Sequence, residues 1–392
     1  MDIIERGLDK YMGGYHTMKD KIKQEITRLF CTKSQYKDEN YKPYLDMVKG
    51  IAIFLVVLGH SGTIEHAVNK WLSTFHLPVF FVVSGILIHL KKEEKKPLMH
   101  VLKNKIRGIL IPYLFFSLGT MFVIAAVVFM GKLEIKILIE SVWKTIYLQG
   151  YSVMWFLPVL FWAELLIIIQ LKILERISNN NMLKVILVCI ISTILASISY
   201  NYYKGISVNV VSEIILEEIK VFSKAIVAGP FVSYGYFLGM IIEKADRKKN
   251  LYHTRKKYQY TELLIGIILF SINIMVLPHI RLMDLNNLNL TGLHGYLLLG
   301  AGASIGLILI CRNIPNIPII SFYGQNSLIV MCTHLSFYIL YIALVIGKFV
   351  DAYLSSNYIN VKCYVTMICV MMLEIPVIIF VKVFFPFMLG KR

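Results

Sequence analysis

Apolar runs long enough to cross a lipid bilayer recur along the chain after residue 44, and they constrain its fold more than any other feature. Crossing about 30 Å of hydrocarbon takes about 17–25 mostly apolar helical residues. Ten stretches qualify: 46–64, 74–90, 107–130, 152–171, 183–199, 224–242, 261–278, 295–311, 327–347 and 363–386. A helix satisfies its own backbone hydrogen bonds, which lipid cannot do. The expected fold is therefore an all-α integral membrane protein with about ten transmembrane helices. The more mixed segments 134–149 and 205–221 are expected along the membrane surface.

Composition separates this class from its rivals. The chain is 57% hydrophobic and 17% charged, whereas soluble domains carry about 25% charged residues. An ordinary soluble enzyme and a disordered chain are both excluded. The net charge of +17 gives no case for nucleic acid, because it falls between apolar runs rather than on a folded basic surface. It orients the chain instead. Arg6, Lys10, Lys19, Lys21, Lys23, Arg28, Lys33, Lys37 and Lys42 precede the first span. Lys and Arg cluster again at 91–107 and 244–257, and Lys391 and Arg392 end the chain. By the positive-inside rule these segments, and both termini, are cytoplasmic. The first 44 residues lack the apolar core of a secretory signal. Residues 1–43 thus read as a basic cytoplasmic extension, with 20–30 as either an amphipathic surface helix or a solvated tail, and 44–392 as the membrane domain.

Polar residues inside spans are costly and mark candidate sites. In YLDMVKGIAIFLVVLGH, Asp46, Lys49, Gly50, Ile53, Val57 and His60 share one helix face. His60 lies about 21 Å beyond Asp46, toward the outer half. Asp46 and Lys49 read equally as an interfacial ion pair or as part of a site. His76 stands at the outer end of the second span, two residues before Pro78, so it and His60 can share one cavity. Ser84 lies mid-span and reads first as a packing hydroxyl. His89 reads as interfacial. Lys103 and Arg107 mark a basic helix start that either anchors the chain or binds phosphate. Trp155 belongs to an aromatic stretch at a membrane interface. Glu164 needs an unidentified partner, and Glu374 stands beside Pro376. Asn326 or Ser327 can cap a helix that puts Ser327, Met331, His334, Tyr338 and Tyr341 on one face. Cys31, Cys189, Cys311, Cys332, Cys363 and Cys369 lack zinc-ligand spacing, so neither disulfides nor a metal is expected.

In this order, YLDMVKGIAIFLVVLGH (44–60), FHLPVFFVVSG (75–85), KNKIRGILIPY (103–113), MWFLP (154–158) and FYGQNSLIVMCTH (322–334) resemble the acyltransferase 3 family of integral-membrane acyltransferases. The closest branch contains fucose 4-O-acetylase-like polysaccharide O-acetyltransferases. The resemblance covers about 44–386. It implies ten helices and transfer of acetyl from cytoplasmic acetyl-CoA to a hydroxyl of a surface or cell-wall glycan or glycolipid, with no bound cofactor. It also implies an essential histidine at His60 and a basic donor site at Arg107. Many relatives carry arginine where this chain has Lys49, and some carry a second arginine for which Lys103 substitutes here.

The expected chemistry needs a base for the sugar hydroxyl and a stabiliser for the oxyanion. His60 is the expected base. Arg107 and Lys103 would hold the donor's phosphates, with Asp46 and Lys49 at the cytoplasmic entrance. His76, Ser84, Trp155, Asn326 and His334 are second-rank positions for the acceptor or the oxyanion. Direct transfer and an acyl-histidine route are both compatible with these residues. A transporter or flippase of a lipid-linked or glycan substrate also fits ten spans with buried ionisable groups. It would move substrate without cleaving a thioester.

Overall fold

The computed structural model describes residues 18–29, 41–62, 64–177, 179–206, 213–252, 255–290, 292–353 and 359–390. Most of the N-terminal extension, Cys31, part of the 205–221 segment, Lys391 and Arg392 lie outside these residues. Helix α1 covers 18–29. It is followed by α2 (Pro43–His60), α3 (His66–Phe75), α4 (Pro78–Leu90), α5 (Leu98–Lys105), α6 (Ile111–Phe129), α7 (Ile135–Ile146) and α8 (Phe156–Glu175). Then come α9 (Asn181–Gly205), α10 (Glu213–Tyr252), α11 (Arg255–Met275), α12 (Leu293–Asn313), α13 (Pro318–Gln325), α14 (Ser327–Thr333), α15 (Ile339–Tyr353) and α16 (Ile359–Phe384). The protein is an all-α integral membrane protein. Among the described residues, nine helical segments are long and apolar enough to cross a membrane.

Three expectations are corrected. The second span is longer than expected: it begins at His66, and a short break at His76–Leu77 divides it into α3 and α4. The ninth span is not one helix. Its backbone leaves the helix after Thr333, and Tyr338 adopts a left-handed φ of 59°. The Phe337 ring wedges against Gly119 of α6, and the Leu340 amide closes the break by donating to the His334 carbonyl at 2.9 Å. Ser327 through Tyr341 therefore do not form one face. Such a break at membrane depth is tolerated when protein surrounds it; His334 is 0% exposed. Finally, residues from Glu213 onward begin α10 rather than a surface segment. Its 40 residues are about 60 Å long, so α10 extends well beyond the hydrocarbon.

Glycines let these helices cross at backbone distance. A Cβ on Gly85 of α4 would overlap the Val232 carbonyl of α10, and one on Gly235 would overlap the Val82 carbonyl. The same logic joins α2 to α13, where Gly50 rests on the Ile320 carbonyl and Gly324 on the Asp46 carbonyl. Two of the sequence motifs thus meet face to face. Glu25 of α1 pairs with Lys382 near the end of α16, and Gly390 packs on the Arg107 carbonyl. The basic helix start, α1 and the chain's last turn therefore share one end of the bundle.

Candidate functional site

The opposite end holds a cavity of about 300 Å³. Its wall includes His60, His76, Trp155, Asn69, Asn286 and Met331. The elements that form it are the end of α2, the α3–α4 break, the start of α8 and a hairpin between α11 and α12. In that hairpin Asp284 and Asn289 exchange backbone hydrogen bonds of 2.9 and 2.8 Å. Buried Leu285 and Leu288 seat it in the bundle, and the Met283 amide donates to Ser73 Oγ at 3.1 Å.

Three histidines converge where helices stop. His60 ends α2 and is exposed to the cavity. His76 caps α3, and its Nδ1 hydrogen-bonds the Leu72 carbonyl one turn back. His334 caps α14, with Nδ1 2.7 Å from the Val330 carbonyl, again one turn back. A carbonyl can only accept, so both rings carry their proton on Nδ1 and leave Nε2 as an acceptor. Nε2 of His334 is buried without a partner. The His334 ring lies 5.4 Å from that of His60, centroid to centroid, with the planes at 41°. His60 and His76 share the cavity, as the antiparallel spans predict, and the broken ninth span places His334 against the His60 ring, behind the cavity wall.

Trp155 does not sit in an interfacial aromatic belt. It is buried in the cavity wall, and its ring carries the Lys224 ammonium 4.7 Å from the centroid. Lys224 and the 282–286 hairpin escaped the sequence reading. The charge pattern assigns Lys224 to an outer loop, but it is 3% exposed. A lysine directly ahead of the apolar run AIVAGPF was the available signal.

At the other end, Arg107 lies in a π-helical turn, Ile106–Leu110, that joins α5 to α6. Pro112 explains this turn: it has no amide to offer the carbonyl of residue 108 and its ring would clash with it. The helix widens, and the Ile111 amide bonds to Ile106 instead. Lys103 and Arg107 are both exposed. Lys105, between them, points the other way. It pairs with Glu93 at 2.6 Å and Glu164 at 2.8 Å, and Ser84 donates to Glu164. This identifies the partner of Glu164 and places Ser84 in a structural network rather than in the cavity. Lys172 donates to the carbonyls of Glu94, at 2.7 Å, and Lys96. Burial raises the Glu94 carboxyl above the usual carboxylate range, against opposing effects from its own backbone, His89 and a Tyr236 hydrogen bond. His89 pairs with Glu243 at 2.8 Å.

The remaining positions have local partners. Asp46 pairs with Lys49 at 2.8 Å and accepts from the Tyr41 hydroxyl at 2.6 Å. Asn326 is the N-cap residue of α14, but its side chain makes no capping bond there; its amide donates back to the Phe322 carbonyl at 2.7 Å and closes α13. The structure therefore brings neither residue to the cavity. Glu374 meets the Thr333 hydroxyl at 2.9 and 2.8 Å. Among the described residues no group of three or more His, Cys, Asp or Glu is placed to hold a metal.

No curated relative and no solved structure matched the chain. Residues 42–384 match the acyltransferase 3 family, described as an acyltransferase domain. That match takes in both ends of the bundle, the three histidines and the Arg107 turn, and the chain belongs to the acyltransferase 3 family of membrane acyltransferases.

Proposed function

We propose that the protein moves an acetyl group from acetyl-CoA, bound at the Arg107 end, to a hydroxyl of a surface or cell-wall glycan held in the His60 cavity. The observation that carries this reading is His60 itself: an imidazole exposed to a cavity, beside two histidines whose Nε2 atoms are left as acceptors. The basic clusters favour a cytoplasmic Arg107 end, where acetyl-CoA is found, and a His60 end on the far side of the cell membrane. His60 takes the proton of the sugar hydroxyl as its oxygen attacks the thioester carbonyl. The same proton passes to the departing CoA thiolate when the tetrahedral intermediate collapses. His334 Nε2 supplies an acceptor beside the imidazolium that His60 becomes. His76, with its proton turned away, accepts from an acceptor hydroxyl and is poorly suited to an oxyanion. The side-chain amides of Asn69 and Asn286 line the cavity and supply N–H donors for that oxyanion.

The donor half of this reading is tested at Arg107. Its guanidinium is exposed and suited to two-point phosphate contact. A charge-assisted hydrogen bond contributes about 1.5–3 kcal/mol, so Arg107→Ala should raise the KM for acetyl-CoA by about 10–100-fold. The KM for the glycan should stay near wild type, and Arg107→Lys should fall between. A loss of kcat with an unchanged acetyl-CoA KM would remove Arg107 from the donor site.

A further inference from the structure

Lys224 stands apart from the other cations held inside this bundle. Lys105 is paired with Glu93 and Glu164, Arg312 with Asp246 and Glu262, and Lys49 with Asp46. Lys224 is more deeply buried than any other Lys or Arg among the described residues, yet its two direct partners are neutral, with the acids Glu217 and Asp284 further off. Its ammonium donates to Asn286 Oδ1 at 3.1 Å and lies over the Trp155 ring. The two nearby acids are otherwise engaged. Glu217 pairs with Lys220 at 3.4 Å, and Asp284 accepts from the Asn287 backbone amide at 3.2 Å and side-chain amide at 2.7 Å. A buried cation with no anion is costly, and in a membrane protein it marks a ligand site by default. Both partners, Trp155 and Asn286, line the His60 cavity with Lys224 directly behind them, and the one carboxylate in that wall, Asp284, is the one engaged by Asn287. Trp155 further offers an aromatic face on which the apolar side of a sugar ring can lie.

We infer that the acceptor is an anionic glycan, and that Lys224, positioned by Trp155 and Asn286, binds its negative substituent while His60 faces the hydroxyl to be acetylated. This rests on the acetyl-transfer reading of the cavity and adds to it the charge class of the acceptor. A uronic-acid carboxylate and a sugar phosphodiester present the same chemistry to an ammonium group. Lys224 is a specificity-determining residue in this account, distinct from the base.

The test uses full-length protein in nanodiscs with acetyl-CoA. Three acceptors are supplied separately: an oligogalacturonide, a neutral galactan oligomer of equal length, and a phosphodiester-linked sugar oligomer. The expected result is a kcat/KM at least tenfold higher for one or both anionic acceptors than for the neutral one. Whichever anionic acceptor is favoured identifies the source of the charge. In Lys224→Gln that preference should fall at least tenfold, mainly through the acceptor KM, while Lys224→Arg should keep most of it. Free galacturonate should also inhibit wild-type transfer at lower concentration than galactose, a comparison that needs no variant. Equal use of neutral and anionic acceptors by the wild-type protein, or a preference unchanged in Lys224→Gln, would overturn the inference and leave acetyl transfer standing. No acetyl transfer to any of the three would overturn both.

Discussion

His60→Ala should abolish acyl transfer while leaving the folded protein in place. A positioned general base contributes about 10²–10⁴-fold, or about 3–5 kcal/mol of transition-state stabilisation. The other titratable groups around the cavity are engaged: Asp284 in its wall accepts from the Asn287 backbone and side-chain amides. His76 and His334 are each tied through Nδ1 to their own helix, and His334 is enclosed by protein. The His60 ring is exposed to the cavity, so truncating it empties little of the core. The expected result is therefore a rate loss of at least about 100-fold with near-normal thermal stability. His294→Ala, at an exposed position on α12, is the matched control and should retain its rate. Wild-type transfer by His60→Ala would remove the base from this mechanism.

The second large effect is on stability. Lys105→Met leaves Glu93 and Glu164 facing each other without their shared cation. Removing one partner of a buried ion pair costs about 3–5 kcal/mol. The damage should be local to the 91–97 elbow, which Lys105 and Lys172 together fasten to α8. A clear fall in melting temperature in detergent is expected. Glu164→Gln in the same chain should recover part of it, because it removes one stranded charge. Lys103→Met, exposed on the same helix, should change stability by no more than about 0.5 kcal/mol. Equal melting temperatures for Lys105→Met and wild type would show that the network is decorative.

The fold was legible because lipid leaves a chain few options. Apolar length alone located all nine membrane-length helices, six of them to within about six residues at each end, and shortened three: the one divided at His76 and those at Leu98–Phe129 and Ile215–Arg247. Helix breaks were harder to read. The ninth span looks continuous by hydropathy, and what interrupts it is a tertiary contact, Phe337 against Gly119, which no local pattern announces. The same limit applied to the site. His60 and His76 were readable because two antiparallel helices bring their outer ends together. Lys105 was not, since the i,i+4 spacing of Lys103 and Arg107 draws the eye to the exposed face while the residue between them turns inward. Lys224 was missed because a charge at a span boundary is normally explained by water. Only the three-dimensional placement of Trp155 and Asn286 shows that it is buried.

The account joins a donor end to an acceptor end through one bundle, and sidedness tests that most directly. Purified protein would be reconstituted in sealed vesicles of defined orientation, with glycan inside and labelled acetyl-CoA outside, facing Arg107. The account predicts labelled acetyl on the enclosed glycan together with free CoA outside, and neither product with His60→Ala. Intact acetyl-CoA alongside movement of the glycan across the membrane would contradict it, as would labelling that appears only when donor and acceptor are mixed on one side.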